Sequence, residues 1–390
     1  MKISAAIAAS ICLAGVIAAT GLLDRSGRLS AAGAGSLPAF SREVAQASNP
    51  DSGLKGFPAN FHMSGAKRGW GITLQGIWRT SDGAVSWKHT SSNTVPMPSE
   101  ESLIHGIAEY FPDSSNGWIM SAYGPQKPLF VFHTADQGQS WQAARLPVKA
   151  SWEQGYSQGF IDFPERQRGY ILVNSGPALG FMEKSLYRTT DEGKSWSRVS
   201  DITSSIEAYP TGMSFRDAAT GWITSSNHGQ EYILTFKTVD GGKSWTPEKL
   251  ADPPALSGTA YSNSYPPLFS GKNRMEGLLP LEIVRNGVRS MVFYTSNDGG
   301  GRWRYGPSLD GVQASRTTWL NARTGWALQE GGKLLATVDG GVTWKRVARA
   351  ELFGKAASIQ FATSRNGWIS GPGYLWSTSD GGYSWTKLHS

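Results

Sequence analysis

An all-β chain built from seven copies of one four-stranded unit is what this sequence predicts, and three regularities carry the prediction. The first is an octad, Ser/Thr-x-Asp-x-Gly-x-Ser/Thr-Trp, as in TVDGGKSW at 238–245 and TSDGGYSW at 378–385. Its aspartates are Asp82, Asp136, Asp191, Asp240, Asp298, Asp339 and Asp380; its tryptophans are Trp87, Trp141, Trp196, Trp245, Trp303, Trp344 and Trp385. The second is an upstream glycine pair: Gly69-Trp70, Gly117-Trp118, Gly169-Tyr170, Gly221-Trp222, Gly277-Leu278, Gly325-Trp326 and Gly367-Trp368. The third is a large apolar residue two places before each octad: Trp78, Phe132, Tyr187, Phe236, Tyr294, Leu335 and Trp376. The octads recur every 41 to 58 residues, the length of one propeller blade. Apolar runs of period two, punctuated by Gly, Asn and Asp, make each unit a four-stranded meander. Residues 54–390 therefore read as a seven-bladed β-propeller of four-stranded antiparallel blades.

The elements follow in chain order. Lys2 and an uncharged run from Ile3 to Leu23 precede DRSGR, the charge-then-apolar order of an export signal. The run also suffices to span a bilayer, so residues 1–23 are a signal peptide or a membrane anchor. The chain is expected outside the cytoplasm, secreted or tethered. Residues 24–53, rich in Ala, Ser, Gly and Pro, read as a flexible spacer. The 390 residues include 47 Gly and 16 Trp, with 17% charged residues, a composition that excludes disorder. The one cysteine, Cys12, lies in the apolar segment, and the six histidines are scattered. No disulfide, metal or cofactor is expected. A net charge of +7 permits an acidic partner, although nucleic acid is not expected.

Within the octad every residue type has a local structural task. Asp accepts hydrogen bonds from amides of its own turn. The glycine at the fifth position admits positive φ, the hydroxyl ties the turn, and Trp folds back as an apolar plug. A calcium loop would need a second acidic ligand that the octad lacks. Ala84 stands at the fifth position of the first octad, which predicts a turn strained by ~1 kcal/mol or differently shaped. Arg302 replaces the hydroxyl residue of the fifth. GYSQG at 155–159 matches a nucleophile elbow but precedes a strand in an all-β repeat, and the two GKS triplets are octad interiors.

The octad resembles the Asp-box, or BNR, repeat of sialidases and related β-propellers. With the upstream Gly-Trp and the unit length, the chain is most similar to photosystem II stability/assembly-factor-like propellers, from residue 54 to its end. That resemblance implies a non-catalytic scaffold for a protein or for a membrane or envelope complex. The alternative it implies is a sialidase-like glycoside hydrolase or a glycan-binding lectin. Sialidase chemistry needs an arginine cluster, a Tyr-Glu nucleophile pair and an acid, and the family's first arginine sits in Phe/Tyr-Arg-Ile-Pro. Here AFSREV and KGFPANF stand in that region and do not fit.

Octads and strand-linking turns fall on one face of a propeller, leaving the interblade connections and the loops between second and third strands on the other. From Gly-Trp to octad Asp the distance is 13 or 14 residues in blades 1, 6 and 7, and 19 to 22 in blades 2 to 5. Enlarged loops are thus expected in blades 2 to 5, where binding is expected too. Trp152 is the one tryptophan without a repeat slot, and with Glu153 and Tyr156 it is the expected anchor. Tyr123, Lys127, Phe181, His228, Tyr209, Tyr261 and Tyr265 are candidate neighbours. Basic residues before four octads (Arg79, His133, Arg188, Lys237) read as protection against edge pairing. A monomer is expected. Its ring closes by packing of blade 7 on blade 1 without a shared strand, with residues 40–46 as a possible extra pairing.

Overall fold

The computed structural model describes residues 60–73, 76–90, 108–121, 128–148, 157–175, 182–228, 232–258, 261–349, 353, 356–371 and 373–389. It is an all-β propeller. We number its repeats 1 to 7 after their octads. Five repeats form separate four-stranded antiparallel sheets, in each of which strand order follows chain order. Repeat 1, for example, runs Asn60–Met63, Gly69–Thr73, Gly76–Thr80 and Lys88–His89, with the octad between its third and fourth strands.

Seven separate sheets were the expectation; among the described residues there are six, because repeats 4 and 5 merge into one ten-stranded sheet. The second strand of repeat 4, Gly221–His228, outruns its own partners and pairs with Tyr261–Ser264 of repeat 5, Ser226 opposite Asn263 and His228 opposite Tyr261. A second difference concerns repeat 5. Its extra length is strand rather than loop: Glu276–Arg285 and Val288–Ser296 pair throughout. Only Asn286 and Gly287 turn between them, at φ 50° and 78°, the two-residue hairpin that Asn-Gly favours.

The apolar core lies between repeats, in seven clusters that join 1 to 2, 2 to 3, and so on to 7 and 1. The Gly-Trp pair explains their geometry. Its aromatic faces the next repeat and stacks on the aromatic that closes that repeat's first strand, as Trp70 on Phe111, Tyr170 on Phe215 and Trp326 on Phe361. Its glycine makes room for the closing residue of its own first strand. A Cβ there would lie 2.4–2.7 Å from Met63, Phe111, Phe163, Phe215, Trp319 or Phe361, closer than atoms pack.

Polar side chains clasp neighbouring inner strands as well. Tyr110 donates to the Phe163 carbonyl at 3.1 Å, Asp162 accepts from the Phe215 amide at 2.6 Å, and Ser214 donates to the Pro267 carbonyl at 2.7 Å. Ser270 accepts from Ala322, Thr318 from Phe361, and Gln360 from Met63, at 2.9, 3.2 and 3.0 Å. Gln360 to Met63 crosses from repeat 7 to repeat 1. The same seam holds the Trp368 indole donating to the Gly83 carbonyl at 2.9 Å and His389 bonded to the Ala84 carbonyl at 3.0 Å. No strand is shared across it among the described residues; residues 40–46 lie outside them.

Candidate functional site

The octads use up their own polar groups. In all seven the first hydroxyl donates to one oxygen of the Asp at 2.6–2.8 Å. That hydroxyl oxygen also accepts from the amide of the fifth residue, at 2.8–3.1 Å. In six, the second hydroxyl donates to the other Asp oxygen at 2.5–2.6 Å. Arg302 removes that bond from the fifth octad, which keeps the backbone bond, Arg302 N to Asp298 at 2.9 Å.

Partial burial raises the carboxyls of Asp82, Asp136, Asp191, Asp240 and Asp339, but the surrounding donors outweigh it and hold all five below the ordinary range, Asp240 at about 2. At Asp298 and Asp380 the donors themselves lead. These aspartates are ionised, saturated with donors, and tied into their turns. Among the described residues no group of three His, Cys, Asp or Glu could hold a metal.

Two consecutive residues of each octad have positive φ, the fourth as well as the fifth. Ala84 adopts φ 72°, so its turn keeps the common shape and bears the strain. Gln137 and Glu192, at φ 67° and 65°, are strained in the same way. The fourth residue's amide then bonds the turn between first and second strands, as Gly83 to Lys67 at 2.9 Å and Gly381 to Arg365 at 2.9 Å, in every repeat. Octads and these turns share one face; the opposite, far face carries the remaining connections.

The basic residues before the octads lie on third strands, which are interior to their sheets, so edge protection is not their task. Each stands opposite a Gly-Trp aromatic. His133 stacks on Trp118 with ring centroids 4.3 Å apart. The Lys237 ammonium lies over Trp222 and donates to the Gly300 carbonyl at 2.6 Å. His133 and Lys237 thus cover the aromatic faces of Trp118 and Trp222.

Of the ten far-face candidates, Trp152, Glu153, Tyr156, Tyr123, Lys127 and Phe181 lie outside the described residues. The merged sheet brings three others together: Tyr209 pairs with Ser226, two residues before His228, which pairs with Tyr261. Tyr209 and Tyr261 are half-buried. Tyr265 corrects the sequence expectation. It is 5% exposed and packs in the core between repeats 5 and 6. Pro266 and Pro267 interrupt its strand and turn it inward. Its hydroxyl donates to Glu282 at 2.8 Å, and Arg289 donates to the other oxygen of the same carboxylate at 2.9 Å. A Tyr-Glu-Arg group of the type sialidase chemistry uses is thus present, but its tyrosine and glutamate are buried and only Arg289 reaches solvent. Burial, then the Glu282 charge, drives the phenol well above its ordinary value, opposite to what a nucleophile needs.

No family model matches the chain. It is 22% identical over 315 residues to the chloroplastic photosystem II stability/assembly factor HCF136 of Arabidopsis thaliana, covering 77% of this chain and 69% of that protein. Among solved structures, the GH74 xyloglucanase from Xanthomonas campestris superposes with a TM-score of 0.54 at 15% identity, over 86% of this chain and 54% of that one. YCF48 bound to a D1 peptide gives 0.49 at 16% identity, over 84% and 91%. This chain is a β-propeller similar to a photosystem II assembly factor. The xyloglucanase likeness speaks to fold alone.

Proposed function

We propose that the chain is an exported, non-catalytic, seven-bladed propeller that binds a protein, or a membrane or envelope complex, through the far-face connections of repeats 2 to 5. Residues 1–23 direct export or anchor the chain, residues 24–53 are a spacer, and residues 54–390 form a monomeric ring. The observation that carries this reading is the similarity over 315 residues to a protein named for assembly rather than for a reaction. The count of seven blades is supported by the seven interrepeat clusters, the ten-stranded sheet being two blades joined. The absence of catalysis is supported by the octad carboxylates, each committed to its own turn.

The test is capture from a membrane extract with the full chain, read by mass spectrometry, alongside a glycan panel. A specific protein set retained by wild type and lost with Trp152→Ala is expected, with no glycan turned over. Glycan cleavage abolished by one carboxylate substitution would overturn the reading in favour of the glycosidase alternative.

A further inference from the structure

Between repeats 3 and 4, toward the far face, stands a group of buried polar side chains whose hydrogen bonding is incomplete among the described residues. Asn174 is fully buried, yet among the described residues neither its Nδ2 nor its Oδ1 has a hydrogen-bond partner. Ser225, also fully buried, has an Oγ without a partner among the described residues. Lys184 is 4% exposed, and its ammonium makes one hydrogen bond among the described residues, to the Met182 carbonyl at 3.1 Å. No carboxylate pairs with it among the described residues.

Strand register places these groups together. Asn174 and Lys184 are direct cross-strand partners, so they share one face of the sheet. Two residues further in on the same strands, Leu172 and Leu186 pack in the cluster that joins repeats 3 and 4. Ile223, which faces repeat 3 from the other side, belongs to that cluster too, and Ser225 is the next residue on its face. An ammonium, a carboxamide and a hydroxyl therefore converge on one interface from two sheets.

Burying a lone ammonium and an unpaired amide disfavours the folded chain, and folding alone gives no reason for that cost. Burial also pulls the lysine's pKa down, as an uncompensated cation requires. We propose that this interface is a carboxylate-binding site, taking a side-chain or C-terminal carboxylate of a partner polypeptide. A carboxylate supplies the missing charge and accepts from the Lys184 ammonium, the Asn174 amide and the Ser225 hydroxyl. Water would partner the amide and hydroxyl but leave the cation uncompensated. A phosphate dianion would bring two charges to one. This inference rests on the protein-binding reading above, and names what the partner presents.

The test uses the purified full chain and acetate as the probe, with acetamide and chloride as controls. Sodium acetate raises the melting temperature by about 1–2 °C beyond equimolar chloride, through preferential binding to the folded chain, and acetamide does not. Lys184→Met melts higher than wild type without acetate and loses the acetate response. Asn174→Asp, which installs a counter-ion beside Lys184, does the same. An equal acetate response in wild type and both variants, no response in wild type, or lower melting of both variants would overturn the site. Capture that depends on Trp152 is read separately, so a failed acetate response with intact capture removes this site and leaves the binding function standing.

Discussion

At the scale of single residues, the octad is a turn with two consecutive left-handed positions. The fifth was legible, because glycine fills it in six octads. The fourth was not, because Gln137 and Glu192 occupy it and hide the pattern. Gln137→Gly should relieve that strain and stabilise the chain by ~1 kcal/mol, read as a higher urea midpoint. Acid behaviour follows from the aspartates. A carboxyl whose pKa is depressed in the folded chain contributes fully above its unfolded value of about 4, and that stability is lost as pH falls through the folded value. With seven such groups, and Asp240 at about 2, melting temperature should drop steeply from pH about 4 toward about 2. Glu109 and Asp162, half-buried on inner strands, act with the opposite sign. Burial raises them to about 7 and about 6, so the stability of their neutral forms is lost as pH rises through those values. The stability maximum should therefore lie near pH 4–5. Glu109→Gln should raise stability at pH 7 relative to wild type; thermal melts across pH check both limbs.

At the scale of elements, the Gly-Trp pair is a rule of interrepeat packing. The glycine admits its own strand's closing aromatic, and the following ring covers the next repeat. Gly221→Ala, whose Cβ would sit 2.5 Å from Phe215, should cost ~1–3 kcal/mol in urea melts. Gly65→Ala, with nothing within 4 Å, serves as the control and should be near neutral. The pair itself was legible as a marker. Its partner, the aromatic six residues earlier in five repeats (Phe111, Phe163, Phe215, Trp319, Phe361), was equally regular in the sequence and was missed, because it closes a strand rather than sitting in a motif. Strand extension was illegible for another reason. Extra residues between Gly277 and Asp298 announce length but not conformation, and only Asn286-Gly287 signalled that the length is hairpin. Proline had the same effect on Tyr265: as an isolated Tyr it resembled a loop residue, whereas its hydrogen bond to Glu282 depends on a residue 17 positions away.

At the scale of the whole molecule, the chain is a ring held by interfaces between neighbours, and the seam between repeats 7 and 1 is closed by side chains. Trp368→Phe should keep the packing and orphan the Gly83 carbonyl, costing ~1 kcal/mol. Trp368→Ala should cost ~3–5 kcal/mol and open the seam first, read as early hydrogen exchange in residues 60–73 and 367–371. Packing of repeat 7 on repeat 1 was legible, since each repeat supplies four strands, and no strand is shared there among the described residues. The fusion of repeats 4 and 5 was not, because it depends on how far Gly221–His228 extends. Of the far-face candidates, His228, Tyr209 and Tyr261 are gathered by that fusion. The buried polar group at Lys184, Asn174 and Ser225 had no sequence signal, since its members are single polar residues in otherwise apolar strands.

The octads as fasteners, with recognition on the other face, is the central claim, and Asp240→Asn measured for melting and for partner capture in the same preparation tests it most directly. Replacing one acceptor oxygen by a donor should lower stability by ~1–3 kcal/mol while capture below the melting temperature stays at the wild-type level. Capture or turnover lost with melting unchanged would contradict the claim.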